Sequence, residues 1–128
     1  MNIGDAFLLA TPPNGSHLFF AIAITADNKY FCVNATSLKS TTLDTACILK
    51  PGTGVPSFIV HDSAIVYTST RVREISPNMI SRLIASEQYI HKGCCSQEII
   101  KQIQQGALAS RQISNEHKQV VQNFLERL

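Results

Sequence analysis

Tryptophan is missing from this chain, charge is sparse, and no apolar run is long. Charged residues make up 16% and hydrophobic residues 45% of the 128. That balance excludes a disordered tail and suits a single domain, 1–128, with a core that needs no metal or disulfide staples. The longest apolar stretch, Leu18 to Ile24, falls far short of the ~20 residues that span a bilayer, so no membrane partner is expected. MNIGDAFLLA, at the start, has neither a basic n-region nor a long h-region, which predicts no signal peptide and a cytoplasmic location. Cys32 and Cys47 fall in apolar strand-like runs, and Cys94 and Cys95 are adjacent. Such spacing does not read as a disulfide framework, and reduced thiols fit a cytoplasmic protein. Net charge is only +2, too weak by itself to announce a nucleic-acid binder. Its distribution is uneven. Residues 1–70 hold three Lys, four Asp and no Arg, a balance of −1; residues 71–128 hold three Lys, five Arg and five Glu, a balance of +3.

The first half carries β patterns. Gly4 to Ala10 predicts a strand ended by the breaker loop Thr11-Pro12-Pro13-Asn14-Gly15-Ser16. His17 to Thr25 is a near-continuous apolar run, which suits a strand buried on both faces or one curling inside a small barrel. Asp27-Asn28 marks a tight turn into a hairpin partner over 30–35. The Ser/Thr-rich segment 36–45 reads as a loop. Short strands are expected at 46–49, 57–60 and 64–67. About six short, closely spaced strands form the pattern of a small barrel or sandwich.

The second half changes period. Ser76-Pro77 is a helix start, Ile80, Leu83 and Ile84 form a stripe, and Lys92-Gly93 reads as the helix stop. Ser96 caps a second helix bearing Ile99, Ile100 and Ile103. Ser114 caps a third bearing Val120, Val121, Phe124, Leu125 and Leu128. The expected class is α+β: a barrel-like part over 1–75, then a helical part with three C-terminal helices over 76–128.

Several residues invite a chemical reading. His61-Asp62-Ser63, inside PSFIVHDSAIVY, are the residue types of a hydrolase triad. Three consecutive residues of an extended chain cannot set a base between nucleophile and orienter, and Asp and Ser are turn formers. A corner between strands is therefore the simpler reading, with His61 retained as an isolated acid or base. His91-Lys92-Gly93-Cys94-Cys95 offers zinc-ligand types but no spaced pairs, so no metal and no cofactor are expected. Pro51-Gly52-Thr53-Gly54 lacks the spacing of a phosphate loop. Arg71 and Arg73 suit phosphate contact, against the simpler alternative of a solvated face.

Four stretches carry a family likeness: Gly4-Asp5; Pro13-Asn14-Gly15-Ser16-His17 leading into 20–24; Val33-Asn34-Ala35-Thr36-Ser37; and 56–60 followed by Ile65-Val66-Tyr67. Over about residues 3 to 85 the chain resembles the MazF/PemK-like toxins. The resemblance implies an SH3-like β-barrel of about six strands over residues 3–70, homodimerisation, inhibition by a protein antitoxin, and metal-independent cleavage of single-stranded RNA through the RNA's own 2′-OH. The family uses an Arg at the start of the second strand and a Thr at the end of the third. Thr36 matches the Thr. The Arg is absent, because the matching stretch reads Ser16-His17-Leu18-Phe19. His17 stands beside the gap as a replacement base, and His61 or Arg71 would supply charge. Catalytic candidates are thus Thr36, His17 and His61; substrate-binding candidates are Ser37, Lys39, Arg71 and Arg73. The contrasting reading is a non-catalytic barrel, an inactive toxin homologue whose groove binds a peptide or protein. A thiol enzyme built on Cys94 and Cys95 is a third, remote class.

Overall fold

The near-continuous apolar run becomes the central strand. In the computed structural model, which describes residues 1–13 and 15–128, β1 (Asp5–Ala10), β2 (Ser16–Ile24) and β3 (Tyr30–Ser37) form an antiparallel meander. Asn14, part of the breaker loop and of the stretch likened to the toxins' first loop, lies outside the described residues. The far edge of β3 carries two strands end to end. β5 (Ser63–Val66) pairs with its C-terminal half, and β6 (Arg73–Ile75) with Tyr30 to Cys32. β4 (Ile48–Leu49) adds to β5, and β7 (Tyr89–Cys94) adds to β1. With α1 (Pro77–Ala85), α2 (Gln97–Ala109) and α3 (Asn115–Glu126), the protein is α+β. Its antiparallel sheet is open, in the order β4-β5-β3-β2-β1-β7 with β6 beside β3.

Both faces of that sheet are covered. Leu18, Phe20, Phe31, Val33 and Ile65 face α2 and α3, meeting Ile100, Ile103, Ala107, Val121 and Phe124. Phe7, Leu9, Phe19, Ala21 and Cys32 face α1, meeting Ile80. This two-sided burial is why β2 reads as continuous apolar sequence instead of alternating. The period breaks once. Ala21 pairs with Cys32 and Ala23 with Phe31, so Ile22 is the extra residue of a β-bulge. Ile22 and Ala23 consequently both turn toward α2 and α3. The bulge leaves the Ile22 carbonyl without a ladder partner, and Gln104 of α2 supplies one. Its Nε2 donates to Ile22 O at 2.9 Å, from a side chain only 4% exposed.

Three expectations need correction. First, the segment 57–60 is not a strand. Ile59 N bonds Pro56 O at 3.0 Å in a turn, and only Ile59 points inward, so there is no ladder to extend. Second, α1 stops at Ala85, not near Lys92. Gln88 N bonds Leu83 O, Glu87 N bonds Ile84 O, and Glu87 adopts φ 60°. That is a Schellman C-cap with glutamate where glycine usually signals the stop. Third, residues 76–128 are not purely helical, because Tyr89–Cys94 returns as β7 on the edge of β1. β6 was also not anticipated; three residues are too short to show a period. The N-caps at Ser76, Ser96 and Ser114 stand as read, each hydroxyl accepting from the N–H three residues on. Among the described residues no helix is long and apolar enough to cross a membrane.

Replacing Gln104 by methionine keeps the volume and removes the donor to Ile22 O. A loss of about 1–3 kcal/mol is expected for the stranded buried carbonyl, read as a lower urea midpoint with an unchanged m-value. An unchanged midpoint would show that the bulge does not depend on Gln104.

Candidate functional site

A groove of about 660 Å³ opens where β2 begins and β3 ends. Residues 16–18 of β2, residues 35–37 of β3, Ser63 of β5 and the loop 57–61 line it. Antiparallel pairing creates this arrangement: Leu18 sits opposite Ala35, and Ser63 opposite Ser37. The groove therefore gathers His17, Thr36, Ser37 and His61, residues far apart in the chain. It brings together all three catalytic candidates and one of the four substrate-binding candidates. Lys39 lies outside it, in the exposed loop after β3, where its N–H bonds Thr42 Oγ1 at 3.0 Å. Arg71 and Arg73 lie outside it as well, in a second cavity described below.

The pleat determines which way these side chains point. His17 and Thr36 each follow or precede the Leu18–Ala35 pair by one residue, so both turn to the opposite face from Leu18 and Ala35. His17 Nδ1 lies 2.6 Å from Thr11 Oγ1, and that hydroxyl donates to Gly15 O at 3.1 Å. One hydroxyl proton cannot serve both bonds. Where Thr11 donates to Gly15 O, the hydrogen sits on His17 Nδ1 and the lone pair on Nε2, as a general base acting through Nε2 needs; where Thr11 donates to Nδ1, the hydrogen sits on Nε2.

His61 sits on the other wall, at the end of the 57–61 loop, and is exposed. Its neighbours do not form a triad. Ser63 Oγ donates to the backbone oxygen of His61 at 3.0 Å, and the Asp62 carboxylate lies 3.9 Å from Lys50 Nζ. The stretch PSFIVHDSAIVY is thus a loop and a corner leading into β5. On the same rim Phe58 is 47% exposed and Val60 67% exposed. Lys92 Nζ stands 5.6 Å from the centre of the Phe58 ring, holding a cation over it.

The second cavity, about 230 Å³, lies on the α1 side of the sheet and shares His17 with the groove. Arg71, Arg73, Thr11, Thr70 and Asn34 contribute to it. Asn34 was not singled out from the sequence, where it reads as one more residue of a strand. No local signal marks it; only the burial of its neighbours on β2 and β5 makes it unusual.

Three of the four thiols, those of Cys32, Cys47 and Cys95, are buried, and Cys94 is exposed. Burial pushes Cys95 up to about 12 and Cys47 up to about 11, so both stay protonated near neutrality. Cys94 is the last residue of β7, and Cys95 follows it. Among the described residues no group of three His, Cys, Asp or Glu side chains converges on one point. Comparison with protein families, with curated proteins and with solved structures returned no match to this chain.

The hydrogen-bond assignment at His17 is directly measurable. In long-range ¹H–¹⁵N spectra of the neutral imidazole, the Nδ1–H tautomer is expected for His17. Thr11→Val should shift the ring toward Nε2–H, the form favoured by a free imidazole. An unchanged tautomer in the variant would show that Thr11 does not orient the ring.

Proposed function

We propose that the groove binds single-stranded RNA and cleaves it without a metal, as in the MazF/PemK-like toxins that the sequence resembles. One observation carries the reading: His17, Thr36 and His61, chosen from the sequence, line the same groove. In the proposed reaction His17 Nε2 takes the proton of a 2′-OH, and that oxygen bonds to the adjacent phosphorus. The P–O5′ bond breaks as His61 protonates the departing oxygen. Products are a 2′,3′-cyclic phosphate and a 5′-OH. The Thr36 hydroxyl donates to a phosphate oxygen, where charge builds up. Phe58 offers a face on which a base can stack. The two histidines take over the work of the missing arginine.

An SH3-like barrel belongs to the same reading. Ser96 N, just past β7, donates to Gly54 O at 2.9 Å, in the loop between β4 and β5. The sheet coils far enough for a loop to bridge its two free ends without strand pairing. A homodimer and a protein antitoxin are the partners this reading implies.

A second reading is favoured by Phe58 and Val60, apolar and exposed on the groove rim. They would suit an extended peptide in a non-catalytic module.

Incubation of the purified protein with a long single-stranded RNA in EDTA separates the two. Discrete cleavage is expected, reduced about 10² to 10⁴-fold in His17→Ala and also lowered in Thr36→Ala. A folded protein that leaves the RNA intact would sink the nuclease reading and leave the peptide groove. Equal cleavage by wild type and His17→Ala would overturn the assignment of the base.

A further inference from the structure

Among the described residues of the sheet, Asn34 is the buried side chain whose polar atoms have no partner. It is 0% exposed, and neither its Nδ2 nor its Oδ1 has a hydrogen-bond partner among the described residues. Leaving a buried carboxamide in that state forfeits its hydration with nothing in return, so a strand that keeps it at its centre invites a functional explanation. Its surroundings suggest one. Asn34 lines the second cavity, on the α1 side of the sheet, together with Arg71 and Arg73. Among the described residues no carboxylate lines that cavity. The ion pairs among the described residues, Lys29–Asp27 and Lys50–Asp62, involve neither arginine. Arg73 is held in place by its own backbone, with Nη1 donating to Thr70 O at 2.9 Å and to Val72 O at 3.1 Å. Two arginines, a buried amide and two threonines thus line one cavity in which no described carboxylate supplies negative charge.

We propose that this cavity is a binding site for a phosphate group, with Arg71 and Arg73 supplying charge and Asn34 Nδ2 a buried donor. Guanidinium and amide donors together match the several acceptor oxygens of a phosphate. At about 230 Å³ the cavity suits a phosphate with little attached. Binding there does not require cleavage in the groove. Through His17, which borders both spaces, the site lies next to the groove, so a strand bound in one can place a neighbouring phosphate in the other. The same chemistry serves a free phosphate species and a phosphate of a nucleic-acid backbone.

Thermal unfolding in the presence of each source tests the site. One arm uses inorganic phosphate against chloride at matched ionic strength. The other uses oligodeoxythymidine, which has no 2′-OH and cannot be cleaved by this route. A saturable rise in the wild-type midpoint is expected, with apparent affinity weakened at least about tenfold in Arg71→Gln, the loss of one charge-assisted contact. Arg71 is exposed, so this variant leaves the core untouched. Asn34→Leu is expected to unfold at a higher temperature than wild type without ligand, and to lose the response to either ligand. A purely structural asparagine would give the opposite sign. Tighter binding of the oligonucleotide than of inorganic phosphate assigns the site to a nucleic-acid backbone. Equal or weaker oligonucleotide binding, with inorganic phosphate still lost in Arg71→Gln, assigns it to a free phosphate species. No rise with either ligand, or an equal rise in wild type and Arg71→Gln, overturns the proposal. Because no arm reads cleavage, its failure is distinct from failure of the nuclease reading.

Discussion

Everything in this fold hangs on a strand buried from both sides. β2 takes its place between β1 and β3, between the α1 layer and the α2–α3 layer, and every residue from Leu18 to Ala23 is buried. Such a strand has no freedom of register, because a one-residue slip would exchange its two faces. It nevertheless changes face once, at the Ile22 bulge. That break is tolerated because Gln104 reaches in from α2 to satisfy the carbonyl it exposes. Tyr67, just past the end of β5, makes a related bond to α2, donating its hydroxyl to Ile103 O at 2.7 Å. The same spot explains Gly106: a Cβ there would stand 2.5 Å from the Tyr67 oxygen. Burial pushes the Tyr67 phenol well above its ordinary range, so the donor is retained at any ordinary pH. Sheet and helices are thus fixed to each other by two buried side-chain bonds as well as by apolar contact.

The site lies where this rigidity ends. Toward its N-terminus β2 leaves the core, and Ser16 and His17 emerge opposite the exposed end of β3. Rigid strands therefore present His17, Thr36 and Ser37 at defined spacing, while the loop 57–61 supplies His61 and Phe58 from the other wall. A scaffold of this kind suits chemistry that depends on orientation. It also places two spaces side by side, with His17 bordering both.

Much of this architecture was legible in the sequence. The apolar run at 18–24, the Asp27-Asn28 turn and the three serine caps each stated a local rule that the tertiary structure obeys. Asn28 shows it well, with φ 62° in a turn closed by Thr25 N to Lys29 O at 2.8 Å. What escaped depended on partners distant in sequence. β7 is flanked by a helix stop written with Glu87 instead of glycine, and its strand character comes from the edge of β1. The 57–60 segment has strand-like residues but no neighbour to pair with. His17, Thr36 and His61 were recognisable as residue types, whereas their place on one groove, and the burial of Asn34 without a hydrogen-bond partner, exist only once β2, β3 and β5 are assembled.

The central claim is that the groove at the ends of β2, β3 and β5 receives the substrate. Its most direct test is a map of backbone amide shifts in ¹H–¹⁵N spectra as a short single-stranded deoxyoligonucleotide is added to the ¹⁵N-labelled protein. The account predicts saturable changes at residues 16–18, 35–37 and 57–63, with the α2–α3 surface undisturbed. Changes confined to α2 and α3, or no saturable change at the strand ends, would contradict it.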